Sequence, residues 1–336
     1  MAVRGRRLAR GLGLGTVALW SLLFMPLASG GEEKTPPQAP QEKDASRLTV
    51  RQPEVHAAPI LVDVNLVVVN VSVVDSYDRI VTGLEQFNFQ VYDDKVEQQI
   101  LSFSTEDSPI SVGLIFDSSG SMAGKIQKSK DAARQFFKTA NPQDEFLFIS
   151  FSDRPNLISG FTSKYEQIQD RLLSVKGGGR TALLDAIYLS LHEMKKATTN
   201  RKALLVISDG GDNFSRYTER DIRQAVKESA VQIYAVGIFE HPSSRGTPEE
   251  KAGPNLLAEL ADVSGGRMFS VEDVNELPDI AEKISIELRN QYVLGYKPSN
   301  LVRDGRWRHL KVKLTPPKGL PPLQVYARGG YYAPTQ

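Results

Sequence analysis

Between Ser111 and Asn290, short runs of branched and aromatic residues alternate with longer stretches whose apolar residues recur every three or four positions. That alternation leaves few folds open. Strands are predicted at Ser111–Phe116, Glu145–Phe151, Ala203–Ser208 and Val231–Ile238, with a short edge strand at Asn156–Phe161. Helices are predicted near 125–139, 164–174, 182–197, 218–230, 254–263 and 275–290. Parallel strands need crossover connections of this length and bury both faces of their sheet, so they read as continuous apolar runs. The expected fold class is therefore α/β, a doubly wound, mostly parallel sheet with helices on both faces.

On either side of this region the pattern turns to β. In residues 58–104, Ile60–Val74 reads as one long strand or two, Asp75–Asp78 as a turn, and Ile80-Val81, Phe87–Tyr92 and Gln99–Phe103 as further strands. In residues 291–336, Tyr292–Tyr296, Trp307–Leu314 and Leu323–Ala327 read as strands separated by Pro/Gly turns. Neither segment is large enough to bury a core alone. The expectation is that they pair into one β-sandwich that carries the α/β domain, residues 108–290, as an insert.

Residues 1–30 have the features of a secretory signal peptide: Arg4, Arg6, Arg7 and Arg10, an apolar stretch from Leu12 to Leu27, then Ala28-Ser29-Gly30. The alternative is an uncleaved membrane anchor, for which the stretch is short against the roughly 20 residues a span needs. Residues 31–57 are polar and rich in Pro, Glu and Lys, a disordered linker. Of the 41 Lys and Arg, four lie in residues 1–30, leaving 37 against 40 acids and a mature net charge of −3. Such a balance gives no reason to expect nucleic-acid binding. The absence of cysteine excludes disulfides, zinc ribbons and thiol catalysis. A cysteine-free exported chain points to a bacterial periplasm, cell surface or medium. His56, His192, His241 and His309 are too scattered for a His-rich metal centre.

The first strand of the α/β region runs directly into Asp117-Ser118-Ser119-Gly120-Ser121. Functional groups in open α/β sheets gather at the carboxyl ends of strands. Asp117, Ser119 and Ser121 occupy alternate positions there, a set of hard oxygen donors suited to Mg²⁺, Mn²⁺ or Ca²⁺. Thr181, after the glycine run Gly177–Gly179, and Asp209, after the apolar run Ala203–Ser208, belong to two further loops expected at the same end.

This constellation resembles the metal-ion-dependent adhesion site of von Willebrand factor A domains. The match comprises Asp117, Ser119, Ser121, Thr181 and Asp209, and the resemblance spans about Ser111 to Leu288. It implies that Ser119, Ser121 and Thr181 contact a divalent cation directly or through water, with the two aspartates binding it directly or through waters. It further implies that a Glu or Asp of a partner protein completes the coordination. The flanks, Val81-Thr82-Gly83-Leu84 with Phe87-Asn88-Phe89, and Ala327–Tyr332, resemble bacterial exported VWFA-related proteins of the Acidobacteria type.

Other readings of the same residues are weaker. No G-x-x-x-x-G-K-[ST] follows the glycine run, against a phosphate loop. An aspartate-based phosphatase would have a second acid where Ser119 stands. A serine hydrolase needs a base that the sequence does not place near Ser119 or Ser121. The expected function is non-enzymatic, an adhesion-type protein-binding module; the alternative is an envelope scaffold subunit using the domain without metal. Asp212 and Asp153 read as turn or rim residues, and Asp185 as a cap or a more distant acceptor. Lys125, Lys128 and Lys130 read as a solvated helix face, and Arg180 as a rim charge favouring acidic partners.

Overall fold

The computed structural model describes residues 66–105, 107–239 and 248–335. The predicted leader and linker, residues 58–65 of the N-terminal β segment, His56 and His241 lie outside the described residues. The chain opens with β1 (Val67–Asp75), β2 (Phe89–Asp93), β3 (Val96–Gln98) and β4 (Ile100–Ser104). The α/β region follows as β5 (Ile110–Asp117), α1 (Ile126–Phe137), β6 (Glu145–Phe151), β7 (Pro155–Thr162), α2 (Tyr165–Leu173), α3 (Leu183–Glu193) and β8 (Arg201–Ser208). It continues through α4 (Glu219–Glu228), β9 (Gln232–Ile238), α5 (Pro248–Ser264), β10 (Met268–Val271) and α6 (Leu277–Arg289). The chain closes with β11 (Tyr292–Tyr296), β12 (Trp307–Leu314), β13 (Leu323–Ala327) and β14 (Gly330–Tyr332).

The central sheet has the order β10-β9-β8-β5-β6-β7, parallel throughout except for β7. Every residue of β5 is buried, because alternate side chains enter different cores. Val112, Leu114 and Phe116 pack with Phe136 and Phe137 of α1, Ile168 of α2 and Ile284 of α6. Ile115 packs on the other face with Ile187 of α3, Ile222 of α4 and Leu257 of α5. The chain proceeds from β5 to β6 on one side and returns to β8 on the other. The crevice at the carboxyl end of β5 is thus the switch point where such sheets hold their ligands.

The flanking strands interleave. One sheet runs β13-β1-β11-β4 and the other β14-β12-β2-β3, so each takes strands from both ends of the chain. Their shared core contains Val69, Val71, Val73, Phe89, Val91, Tyr292 and Leu294. Phe89 and Tyr292 meet across it at 4.9 Å between ring centroids. The α/β region is therefore an insert in a β-sandwich. Several local readings change. Ile80-Val81 is not a strand; only Ile80 bridges to Val74, because Asp75 holds the turn by accepting from the amides of Tyr77 and Arg79 at 2.9 Å. β3, β10 and β14 were not predicted: at three or four residues each they are too short to carry a periodic signal.

β10 enters the sheet through Gly265-Gly266, which is wedged between two backbones. Gly265 has φ +80°, and a β-carbon there would stand 2.3 Å from the Arg328 amide nitrogen. A β-carbon on Gly266 would stand 2.1 Å from the Ile233 carbonyl oxygen. Backbone does not yield as a side-chain tip does. Gly266→Ala is expected to destabilise the protein by about 1–3 kcal/mol, the usual cost of overpacking, read as a lower urea midpoint.

Candidate metal centre

The site is built where β5 ends. Phe116 pairs with Ile207 in the register of β5 with β8, which brings Asp117 beside Ser208. The Ser208 hydroxyl donates to Asp117 Oδ2 at 2.6 Å, and the Ser119 amide donates to Oδ1 at 2.8 Å. The Ser119 and Ser121 hydroxyls lie 3.0 Å apart. Ser118 anchors the loop to β6, its amide and hydroxyl both donating to the Phe151 carbonyl at 2.8 Å. Met122, fully buried, plugs the loop into the core.

The glycine run closes against this loop. Gly120 N donates to Gly179 O at 2.9 Å and Gly178 N to Ser118 O at 2.8 Å. Gly179 has φ +89°, and a β-carbon there would meet the Asp153 carboxylate at 3.0 Å. Thr181, next in line, is buried, and its carbonyl accepts from the amides of Asn213 and Phe214 at 3.0 and 3.1 Å. Asp209 follows Ser208 directly. Backbone ties thus draw the loops that carry Asp117, Ser119, Ser121, Thr181 and Asp209 to one end of the sheet.

Electrostatics give the site its character. Burial pushes the Asp117 carboxyl up to about 6, with the Asp209 charge adding to it and hydrogen bonds from Ser119 and Ser208 opposing it. The donors are two carboxylates and three hydroxyls, all hard oxygens around a buried negative charge. That set fits Mg²⁺, Mn²⁺ or Ca²⁺. Among the described residues no group of three or more His, Cys, Asp or Glu is placed to hold a metal.

Lys125 and Lys130 are not a solvated face. Both are buried, because α1 lies with this edge against the site and the α2 loop. Lys130 Nζ donates to the carbonyls of Leu173 and Val175 at 3.0 and 2.7 Å. Lys125 Nζ lies 3.7 Å from Asp209 Oδ2, a tethered positive charge on a predicted metal ligand. A divalent cation at Asp209 would meet that charge. Lys125→Gln is expected to tighten Mg²⁺ binding about 3–10-fold, given the strength of an ion pair at such a separation, in a calorimetric titration.

The remaining acids brace the loops. Asp212 accepts from Leu184 N at 2.9 Å, capping α3, and from the Ser215 hydroxyl at 2.6 Å. Asp185 accepts from the amides of Arg216 and Tyr217 at 2.8 and 3.1 Å. Asp153 accepts from Arg180 N at 2.8 Å and sits on the rim. Sequence reasoning missed Ser208 and Lys125 as members of the site. The register of two adjacent apolar strands was the signal for Ser208; Lys125 has none, because its role depends on how α1 is tilted.

Residues 112–211 match the family model of the von Willebrand factor type A domain, over the stretch that holds all five predicted ligands. The chain carries a von Willebrand factor type A domain. Curated relatives of this A domain are distant. Inter-alpha-trypsin inhibitor heavy chain H4 of Homo sapiens is 23% identical over 141 residues, 38% of this chain and 15% of that one. An uncharacterized protein of Borreliella burgdorferi is 22% identical over 169 residues, 46% of this chain and 49% of that one. The chain therefore spans half or less of the length of the curated relatives it matches. Among solved structures, a von Willebrand factor type A protein from Catenulispora acidiphila aligns over 79% of this chain and 72% of its own, at 12% identity and a TM-score of 0.47.

Proposed function

We propose that the protein is an exported, non-enzymatic binding module of a bacterial envelope, in which the A domain holds a divalent cation and through it a partner protein. Asp117, Ser119, Ser121, Thr181 and Asp209 would hold Mg²⁺, Mn²⁺ or Ca²⁺. Bound there, the cation supplies an electrophilic coordination position for a Glu or Asp of the partner. The observation that carries this reading is the convergence of two strand-end loops and the α2–α3 loop on a buried Asp117 beside a pair of hydroxyls 3.0 Å apart. The Arg-rich, then apolar, first 30 residues and the absence of cysteine support export. Among the described residues no helix is long and apolar enough to cross a membrane.

A non-enzymatic role is supported by the placement of the described histidines. His192 is exposed on α3 and His309 lies on β12 in the sandwich, so neither is positioned as a base for Ser119 or Ser121. The Lys125–Asp209 contact favours a second reading, in which the domain docks as a scaffold with its site neutralised internally. Chelation separates the two. Partner capture from envelope extracts is expected to be lost in EDTA and restored by added Mg²⁺; capture that is indifferent to EDTA would establish the scaffold reading instead.

A further inference from the structure

Beside the metal centre lies a surface that the ligand set does not use. Two confluent grooves, of about 650 and 990 Å³, share Asp153, Arg154 and Phe214. Arg180, the residue before Thr181, lies on this rim with its guanidinium 4.3 Å over the Phe214 ring. Phe214 is itself tied to the site, its amide donating to the Thr181 carbonyl at 3.1 Å. Further along the groove Tyr188 and Tyr217 stack at 3.9 Å, and Arg216 reaches out with its side chain 85% exposed.

The acids of the groove are already engaged. Asp153 accepts from the Arg180 amide, and Asp185 from two amides and, at 3.2 Å, from Arg216 Nε. Among the described residues, the guanidinium groups of Arg154 and Arg180 have no ion-pair partner. Exposed arginines beside half-exposed aromatic rings are the composition of binding hot spots. Guanidinium groups bind carboxylates through paired, charge-assisted hydrogen bonds, which a plain positive charge does not reproduce.

We infer that this groove is a second anchor for the partner, and that the partner presents an extended acidic segment. One carboxylate goes to the metal centre, further carboxylates go to Arg154 and Arg180, and an aromatic or apolar residue lies against the Tyr188–Tyr217 stack. The first contact rests on the metal reading above; the arginine contacts do not.

Fluorescence anisotropy on the full chain tests this with two labelled peptides, each read in excess Mg²⁺ and in EDTA. One carries a single glutamate among glycines and serines; the other carries glutamates at three positions followed by a tyrosine. The acid-rich peptide is expected to bind at least about tenfold more tightly, a preference weakened by salt. The double substitution Arg154→Glu with Arg180→Glu should bring the two peptides to near parity while calorimetric Mg²⁺ binding is kept, at an affinity no weaker than the parent's. Arg154→Gln with Arg180→Gln, checked by circular dichroism, serves if the reversals disturb folding.

Equal affinity for the two peptides, no binding of the acid-rich one, or a preference that survives both double variants would overturn the inference. So would equal, arginine-dependent binding of a thymidine oligonucleotide of matched charge. The two readings fail separately. Loss of the arginine-dependent preference with intact Mg²⁺ binding sinks the second anchor alone. An arginine-dependent preference with each peptide's own affinity identical in Mg²⁺ and in EDTA sinks the metal reading alone.

Discussion

Asp117→Ala and Asp209→Ala are each expected to abolish saturable Mg²⁺ binding in a calorimetric titration. Changing residues that merely orient a metal ligand costs roughly 10–100-fold in affinity, so losing a carboxylate from a site with only two should cost more than about a hundredfold. Asp117→Asn adds a test that a simple folding defect would not pass. Asp117 is fully buried, and burial holds its carboxyl at about 6 against an ordinary 3.8. Without a cation, the native protein at pH 7 therefore carries a buried charge that costs on the order of 3 kcal/mol. The neutral isostere removes that cost. The metal-free Asn variant should be more stable than the metal-free parent above pH 6, where Asp117 is ionised in both folded and unfolded chains. The difference should shrink as pH falls toward 4 and vanish below it, where Asp117 is protonated in both. A variant that lost Mg²⁺ binding yet melted lower than the metal-free parent at pH 7 would contradict this account of the site. Sites built for charge stabilisation commonly hold such a conflict between function and stability.

Arg267→Ala is expected to cost about 3–5 kcal/mol of unfolding free energy in urea titrations, the usual penalty for stranding a buried charge. Arg267 Nη1 lies 2.6 Å from Oε2 of Glu287, which is fully buried at the end of α6. Tyr234 donates to the other oxygen of Glu287 at 2.9 Å, and burial pushes that phenol well above its usual range. The same guanidinium pairs with Asp78 in the turn after β1 and lies 4.7 Å over Phe269 and 4.5 Å over Tyr326. Lys283 of α6 also pairs with Asp78. One side chain thus ties the end of the inserted domain to both flanks of the sandwich. The double variant Arg267→Met with Glu287→Leu should recover most of the loss, because it removes both charges and keeps the volume. A loss below about 1 kcal/mol for Arg267→Ala would mean that Glu287 finds other solvation.

The strand-end setting of Asp117, Ser119, Ser121 and Asp209 was legible because its context is local. Asp117, Ser119 and Ser121 follow an apolar run directly, and Asp209 follows another. The length of a buried strand says where it ends, and strand ends in a doubly wound sheet share one edge. Ser208 was hidden although it touches Asp117, because a serine at the end of a strand looks like a turn residue until the register with the next strand is known. Lys125 was misread for a different reason. A lysine one residue before a helix is solvated in most settings, and only the packing of α1 against the site turns it inward to Asp209.

By itself, the sequence determined the alternation that makes the sheet parallel, the edge at which its polar loops gather, and the residues on those loops. Those properties follow from hydrophobic period and turn chemistry, which act over a few residues. Only the tertiary structure decided which strands of the sandwich are neighbours: β1 pairs with β11 and β13, more than two hundred residues away in the chain. It also decided that Arg267 meets Asp78, and that Arg154, Arg180 and Arg216 line two confluent grooves beside the candidate metal site. Those pairings depend on the register and tilt of elements distant in sequence, set by how whole faces pack and not by any residue's own preference.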